Sequence, residues 1–333
     1  SNGLVKDDGS LDGGSHVLGA LFLDEENRPV TKRNVQDIRT LAWNKSIPSG
    51  GADVVRYRFR VPENLNQLTI SVRLRYRKFN EPFRKFACAT HPGGFPRGCP
   101  ELPITDIDTA SLILRVSADR TVEVESKFEA DPEILNRFSN FGIGSLLQLD
   151  TASAEYAFAV VGQRAQDRAS TINLARSALL AGDADRALGL LSESRSTQGM
   201  TDPRIAWLTG MAHSMRREYN SAAEWFRRAV ELRPSDRESL RMWGQSLMQT
   251  GEYELALSAF TRILMLDVED AWAHQQAGEA LARLGRNREA RTHQQLFERY
   301  REDPAVYNRR DLYCESNEDA FRESMLYHSH SAQ

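Results

Sequence analysis

The stretch Gly244-Gln-Ser-Leu-Met-Gln-Thr-Gly251-Glu-Tyr253-Glu-Leu-Ala256-Leu-Ser-Ala-Phe260 decides the fold of the larger part of the chain. It carries a small residue, an alanine twelve positions later and a large apolar residue four beyond that, and this pattern recurs. The small residue stands at Gly142, Ala175, Gly210, Gly244 and Gly278, at intervals of 33, 35, 34 and 34 residues. The alanine follows at Ala154, Ala187, Ala222, Ala256 and Ala290, and then come Phe158, Leu191, Phe226, Phe260 and Gln294. A period of this length reads as helix, short turn, helix. Two helices can cross closely where both present small residues, and the large residue is expected to fill the space between one hairpin and the next. Gly182, Gly251 and Gly285 fall where the first helix must stop, a place suited to a residue with a left-handed backbone. Tyr219, Tyr253 and Pro234 mark the same units.

These residues resemble the tetratricopeptide repeat family over residues 135–302, about half of the chain. Five hairpins are expected, in a domain spanning 129–302, with the first and last as capping units because Gln294 stands where an apolar residue is usual. The resemblance implies a right-handed superhelix whose concave face is lined by the first helix of each hairpin. In that register Arg176, Arg204, Trp207, Met211, Arg241, Gln245, Trp272, Gln275 and Glu279 lie on or near the concave face and are candidate partner-binding residues. The plainer alternative makes Trp207 and Met211 core and the arginines a solvated helix face. The Lys/Asn pattern of domains that clamp a C-terminal carboxylate is not present, so binding of chaperone tails is not expected.

Residues 1–128 change period. Val55, Tyr57, Phe59 and Val61 alternate with Arg56, Arg58 and Arg60, and Leu68, Ile70, Val72, Leu74 and Tyr76 alternate with Thr69, Ser71, Arg73, Arg75 and Arg77. Alternation with period two reads as half-buried strands. With further strands expected near 16–23, 111–117 and 121–126, the fold class is α+β multidomain: an N-terminal antiparallel β-sandwich followed by an all-α tetratricopeptide superhelix. A β-barrel is the alternative. If the two arginine-rich strands pair as a hairpin, Arg56, Arg58, Arg60, Arg73, Arg75 and Arg77 share one basic face. That face would dock an acidic partner, or be neutralised by Glu123 and Glu125. Trp43 and Phe95 are the hints of an aromatic-lined ligand cleft.

Cys88 and Cys99 flank a loop rich in Pro and Gly, and three readings stay open: a loop-closing disulfide, zinc ligation with His91, or free thiols. Residues 303–333 are expected to form a polar tail, whose His328 and His330 are as consistent with a disordered end as with metal binding. The net charge of −3, 41% hydrophobic and 27% charged residues exclude a nucleic-acid-binding polyelectrolyte and global disorder. No apolar run is long enough to span a bilayer. No phosphate loop, Gly-x-Ser-x-Gly or His-Glu-x-x-His is present, so catalysis is not expected and no metal or catalytic residue is assigned. Ser1-Asn2 reads as the remnant of a removed tag, so the chain is expected to be part of a longer protein.

A second resemblance runs through the chain. The strings Arg33-Asn34-Val35-Gln36-Asp37-Ile38, Gly51-Ala52-Asp53-Val54-Val55-Arg56-Tyr57-Arg58-Phe59, Tyr76-Arg77-Lys78-Phe79-Asn80, Leu102-Pro103-Ile104-Thr105 and Phe141-Gly142-Ile143-Gly144 resemble bacterial multihaem cytochromes c that carry C-terminal tetratricopeptide repeats. Lys45 stands where such relatives tend to have histidine, and no Cys-x-x-Cys-His is present. The resemblance implies a periplasmic, non-haem portion of an electron-transfer protein. It would hold no cofactor of its own, with haem in an upstream region, and its partner would be that haem domain or another protein. A general periplasmic adaptor, with no connection to haem, is the alternative. Oligomerisation is compatible with both.

Overall fold

The computed structural model describes residues 15–32, 34–58, 66–95, 98–116, 122–123, 131–165, 168–195, 201–302, 305–317, 321, 324–326 and 329–331. The chain divides into two compact units. One comprises Ser1–Ser49, Val54–Glu129 and Pro304–Gln333; the other comprises Gly50–Asp53 and Ala130–Asp303.

The second unit is an array of five helical hairpins: α2 (Pro132–Leu147) with α3 (Thr151–Ala165), α4 (Arg168–Leu180) with α5 (Ala184–Arg195), α6 (Pro203–Met215) with α7 (Tyr219–Leu232), α8 (Arg237–Thr250) with α9 (Tyr253–Leu266), and α10 (Ala271–Arg283) with α11 (Asn287–Tyr300). Each helix packs on the next in sequence, the arrangement of a tetratricopeptide-like fold. Ala154, Ala187, Ala222 and Ala256 are fully buried, as are Phe158, Leu191, Phe226 and Phe260.

The large residue packs within its own hairpin. A Cβ added to Gly142, Gly210 or Gly244 would lie 2.7, 2.7 or 2.3 Å from ring carbons of Phe158, Phe226 or Phe260. These rings therefore lie flush against the backbone of their own first helix, instead of bridging successive hairpins as the spacing suggested. Where the small residue is Ala175, its counterpart is the shorter Leu191. At the last hairpin Gln294 is exposed, α11 buries no residue fully, and a Cβ on Gly278 would make ordinary contacts. That is the behaviour of a capping unit.

The turn between the two helices is left-handed in all five hairpins, at Leu149, Gly182, Arg217, Gly251 and Gly285, with φ between 60° and 87°. Three carry the glycine that the sequence exposes; Leu149 and Arg217 adopt the same backbone at a steric cost on the order of 1 kcal/mol. Several first helices also begin on an aspartate cap: Asp131, Asp202, Asp236 and Asp270 each accept a hydrogen bond from a backbone N–H of the following turn.

Among the described residues the other unit consists of strands and two α-helices: β1 (Ala20–Leu23), β2 (Thr40–Asn44), β3 (Arg56–Arg58), β4 (Gln67–Tyr76), α1 (Glu81–Thr90), β5 (Thr105–Val116), β6 (Val122–Glu123), α12 (Ala305–Ser316) and β7 (Ser329–Ser331). They form three separate sheets, β1-β2, β3-β7 and β4-β5-β6, so the expected β-sandwich is corrected to a set of small sheets. The alternation along β4 is real, yet Val72 and Leu74 are 54% and 46% exposed and Leu112, opposite Ile70, is 54% exposed. Among the described residues nothing covers that face as a second layer of a sandwich would.

Residues 303–333 were expected as a separate tail, but Pro304–Gln333 group with this unit: α12 packs against β2 and β7 pairs with β3 in parallel. Here Leu23 is fully buried and Ala42, Thr40 and Cys314 nearly so. The helix α1 runs through Cys88 into the first residues of the segment read as a Pro/Gly-rich loop; it is capped by Asn80, whose side chain accepts from Phe83 N–H, with a proline in its first turn.

Candidate functional site

The residues expected on the concave face come from α4, α6, α8 and α10, and they divide into three groups. The first lines an open depression of about 530 Å³ between α6, α8 and α10. Met242, Gln245, Met248 and Gln249 come from α8, Gln276, Glu279 and Arg283 from α10, and Tyr219 and Tyr253 stand at its edge. Gln245 and Glu279 were predicted from the register. Gln275 is exposed nearby, while its neighbour Gln276 lines the depression. Glu279 and Arg283 approach to 3.7 Å, one helical turn apart. The lining is amide, thioether, phenol and a balanced ion pair, chemistry that suits the backbone and side chains of another polypeptide.

The second group holds the array together. Arg241 Nη2 reaches Asp270 at 2.7 Å, and Arg237 stands 3.7 Å from the same carboxylate, which is 3% exposed. Asp270 also caps α10 by accepting from Ala273 N–H at 2.9 Å. The Arg241 guanidinium lies 5.0 Å over the Trp272 ring, and Trp272 meets Phe260 edge-on at 5.7 Å. Arg241 and Trp272 thus bridge hairpins four and five. The carboxylate partner of Arg241 lies 29 residues away in sequence, so the register alone gave no sign of it.

The third group sits on α4 and α6. Trp207 and Met211 are partly buried against the core formed by Ile172, Leu191, Ile205 and Leu208. Arg204 is paired with Asp202, the cap of its own helix, at 2.8 Å. That pairing, first by its hydrogen bond, holds Asp202 below the usual carboxylate range. Arg176 is half-buried; burial, and then the charge of Arg204, push its guanidinium below the usual range.

At the far end His274 is buried, its Nε2–H donating to Val268 O at 3.0 Å, which leaves its Nδ1 to accept from His293 Nδ1–H at 3.0 Å. Tyr300 stacks on His274 at 5.8 Å. Burial, and then His274, lower the pKa of His293 from 6.5, while Glu289 opposes them. A histidine pKa depressed by folding means that the unfolded chain binds the extra proton first. The stability it contributes is complete above pH 6.5 and is lost as pH falls from there through the folded value. The thermal midpoint is therefore expected to drop on acidification below 6.5, and His293→Gln to flatten that drop. An unchanged pH profile in the variant would refute the assignment.

The basic face does not assemble as expected. Arg56 and Arg58 lie on β3, opposite Ser329 and Ser331 of β7, whereas Arg73 and Arg75 lie on β4, opposite Thr109 and Asp106 of β5. β5 offers β4 a partner of matching length and apolar pattern, with Leu68 opposite Leu114 and Ile70 opposite Leu112. Arg75 binds Asp106 at 2.9 Å. Arg77 follows the end of β4, and Arg60 lies outside the described residues, as do Glu125 and His328; of the side chains of Glu123 and His330 nothing is described. Cys88 and Cys99 are joined by a disulfide across a Cα–Cα distance of 5.6 Å. Among the described residues no three His, Cys, Asp or Glu side chains converge on a metal-sized site, and no helix is long and apolar enough to cross a membrane.

No protein-family model and no curated protein matches the chain. Solved structures of MamA are similar in fold. One crystal structure of MamA shares 19% identity, covering 53% of this chain and 97% of its own, with a TM-score of 0.46. MamA from Desulfovibrio magneticus RS-1 shares 16% identity over 51% of this chain and 97% of its own, with a TM-score of 0.46. The hairpin count and register given above rest on this chain's own geometry.

Proposed function

We propose that this chain is a protein-interaction scaffold whose working surface is the concave face of its helical hairpins. The observation that carries this reading is the depression between α6, α8 and α10. Its lining residues come from three successive hairpins, and Met248 also packs on the buried core beneath them. An extended or helical segment of a partner can be read along such a row, with Gln245, Gln249 and Gln276 available for its amides and Met242 and Met248 for its side chains.

The Cys88–Cys99 disulfide suits an oxidising compartment and supports an extracytoplasmic setting. A haem-domain partner and a role in electron transfer rest on the resemblance of the short sequence strings and form no part of this reading.

A photo-crosslinking residue at Gln245, compared with one at Arg227 on α7, tests the surface. In extracts of the source cell the Gln245 position is expected to yield a discrete adduct that Met242→Arg abolishes. Equal adducts from both positions, both surviving Met242→Arg, would refute the groove as the working surface.

A further inference from the structure

The donors on α4 and α6 are not matched by acceptors. The indole N–H of Trp207 is buried without a hydrogen-bond partner, and so are Nε and Nη2 of Arg168 at the start of α4. Among the described residues no carboxylate forms an ion pair with Arg176. The nearby described carboxylate, Asp202, is engaged by Arg204 at 2.8 and 3.1 Å and by the first turn of α6, and it also feels the charge of Arg168. One carboxylate thus serves Arg204 and Arg168, and among the described residues Arg176 has none.

The same array shows what closure looks like. Asp270 occupies in the fifth hairpin the capping position that Asp202 occupies in the third, and there it reaches back to Arg241 of the preceding hairpin at 2.7 Å. Asp202 instead turns to its own Arg204, and the preceding helix presents Ile172 at the position matching Arg241. A half-buried guanidinium beside another cation, with a buried N–H next to the pair's helix, carries a desolvation cost that an anionic acceptor would relieve.

We propose that the α4–α6 end of the groove receives the side-chain carboxylates of an acidic segment of a partner polypeptide, with Arg176 as the principal cation and the Trp207 N–H as a second donor. This rests on the scaffold reading and adds the chemistry of the partner. A polypeptide fits better than a polyanion such as nucleic acid. The chain as a whole has a net charge of −3, and the groove continues into an amide- and methionine-lined depression without further unpaired cations described there. The segment would place acidic side chains on Arg176 and run its backbone toward Gln245.

The test uses the full chain and two fluorescent peptides of about twelve residues, enough at ~3.3 Å per residue to pass several hairpins. One alternates Leu and Glu, the other Leu and Gln, and both are blocked at their ends so that no terminal carboxylate is present. The Glu peptide is expected to bind at least about tenfold more tightly than the Gln peptide, the excess shrinking as salt is added. Arg176→Gln and Trp207→Phe, the latter keeping the ring and removing the donor from its face, are each expected to remove about five- to tenfold of that excess. Arg227→Gln on α7 is expected to leave it intact, and thermal melts confirm that each variant is folded.

Equal affinity for the two peptides, or an excess that survives Arg176→Gln, overturns the acidic assignment. So does binding of inorganic phosphate that depends on Arg176 while neither peptide binds. In those cases the scaffold reading still stands or falls by the Gln245 adduct, which does not depend on peptide charge.

Discussion

Arg241→Ala is expected to destabilise the hairpin array by about 3 kcal/mol, because it strands a buried carboxylate. Asp270 is 3% exposed and takes its nearest cation from Arg241 at 2.7 Å, with Arg237 more distant at 3.7 Å. Removing the guanidinium also uncovers one face of Trp272, which in turn packs on the fully buried Phe260. Asp270→Asn keeps an oxygen for the α10 cap while removing the charge, so it should cost less, about 1–2 kcal/mol. Arg227→Ala, which loses an exposed ion pair with Glu231, should stay within about 0.5 kcal/mol of the parent. Urea unfolding of the three variants checks the order. If Arg241→Ala were as mild as Arg227→Ala, Arg241 would be a groove residue after all, and loss of partner binding in that variant could be read directly.

The second large effect concerns a sign. In an isolated helix Gly→Ala stabilises by about 1 kcal/mol. At Gly244 the new Cβ would lie 2.3 Å from a ring carbon of Phe260, inside a core with no room to yield. Gly244→Ala is therefore expected to destabilise, by about 2 kcal/mol net. The second hairpin shows how the conflict is resolved, since Ala175 there is matched by Leu191 and both are fully buried. In a Phe260→Leu background, which itself costs about 1–2 kcal/mol, Gly244→Ala should become neutral or stabilising. A double-mutant cycle with a coupling near zero would show that the glycine is not placed by the ring.

This pairing also explains why the array was legible. Gly142, Gly210 and Gly244 answer a ring sixteen residues onward within one hairpin, so the constraint is local and repeats with the chain. The helix register followed from it, and two residues picked out by that register, Gln245 and Glu279, line the depression between α8 and α10. The left-handed turns at Leu149 and Arg217 were hidden because neither residue advertises a positive φ. Arg241 was given to a partner because its own carboxylate, Asp270, belongs to the next hairpin, and Trp272 because its ring faces Arg241 and Phe260 of the preceding one.

The strands were harder for the same reason. Alternation reveals which residues share a face, yet it says nothing about which strand comes alongside. β3 lies beside β7, more than 270 residues later by the register Arg56↔Ser329. β4 lies beside β5, beyond the intervening α1, and α1 itself was hidden because Cys88 falls inside it and a Pro- and Gly-rich stretch follows it. Asn80-Glu81-Pro82 was the readable signal, a capping residue followed by proline in the first turn.

Methionine oxidation with and without the cross-linked partner tests the groove most directly. Met242 and Met248 line the depression, while Met265 on α9 is 81% exposed and lies outside it. With the partner in place, peroxide oxidation of Met242 and Met248 is expected to slow by about tenfold or more, as their burial in an interface would require, while Met265 oxidises at its free rate. Protection of Met265 with Met242 and Met248 unchanged would contradict the concave face as the surface this protein presents.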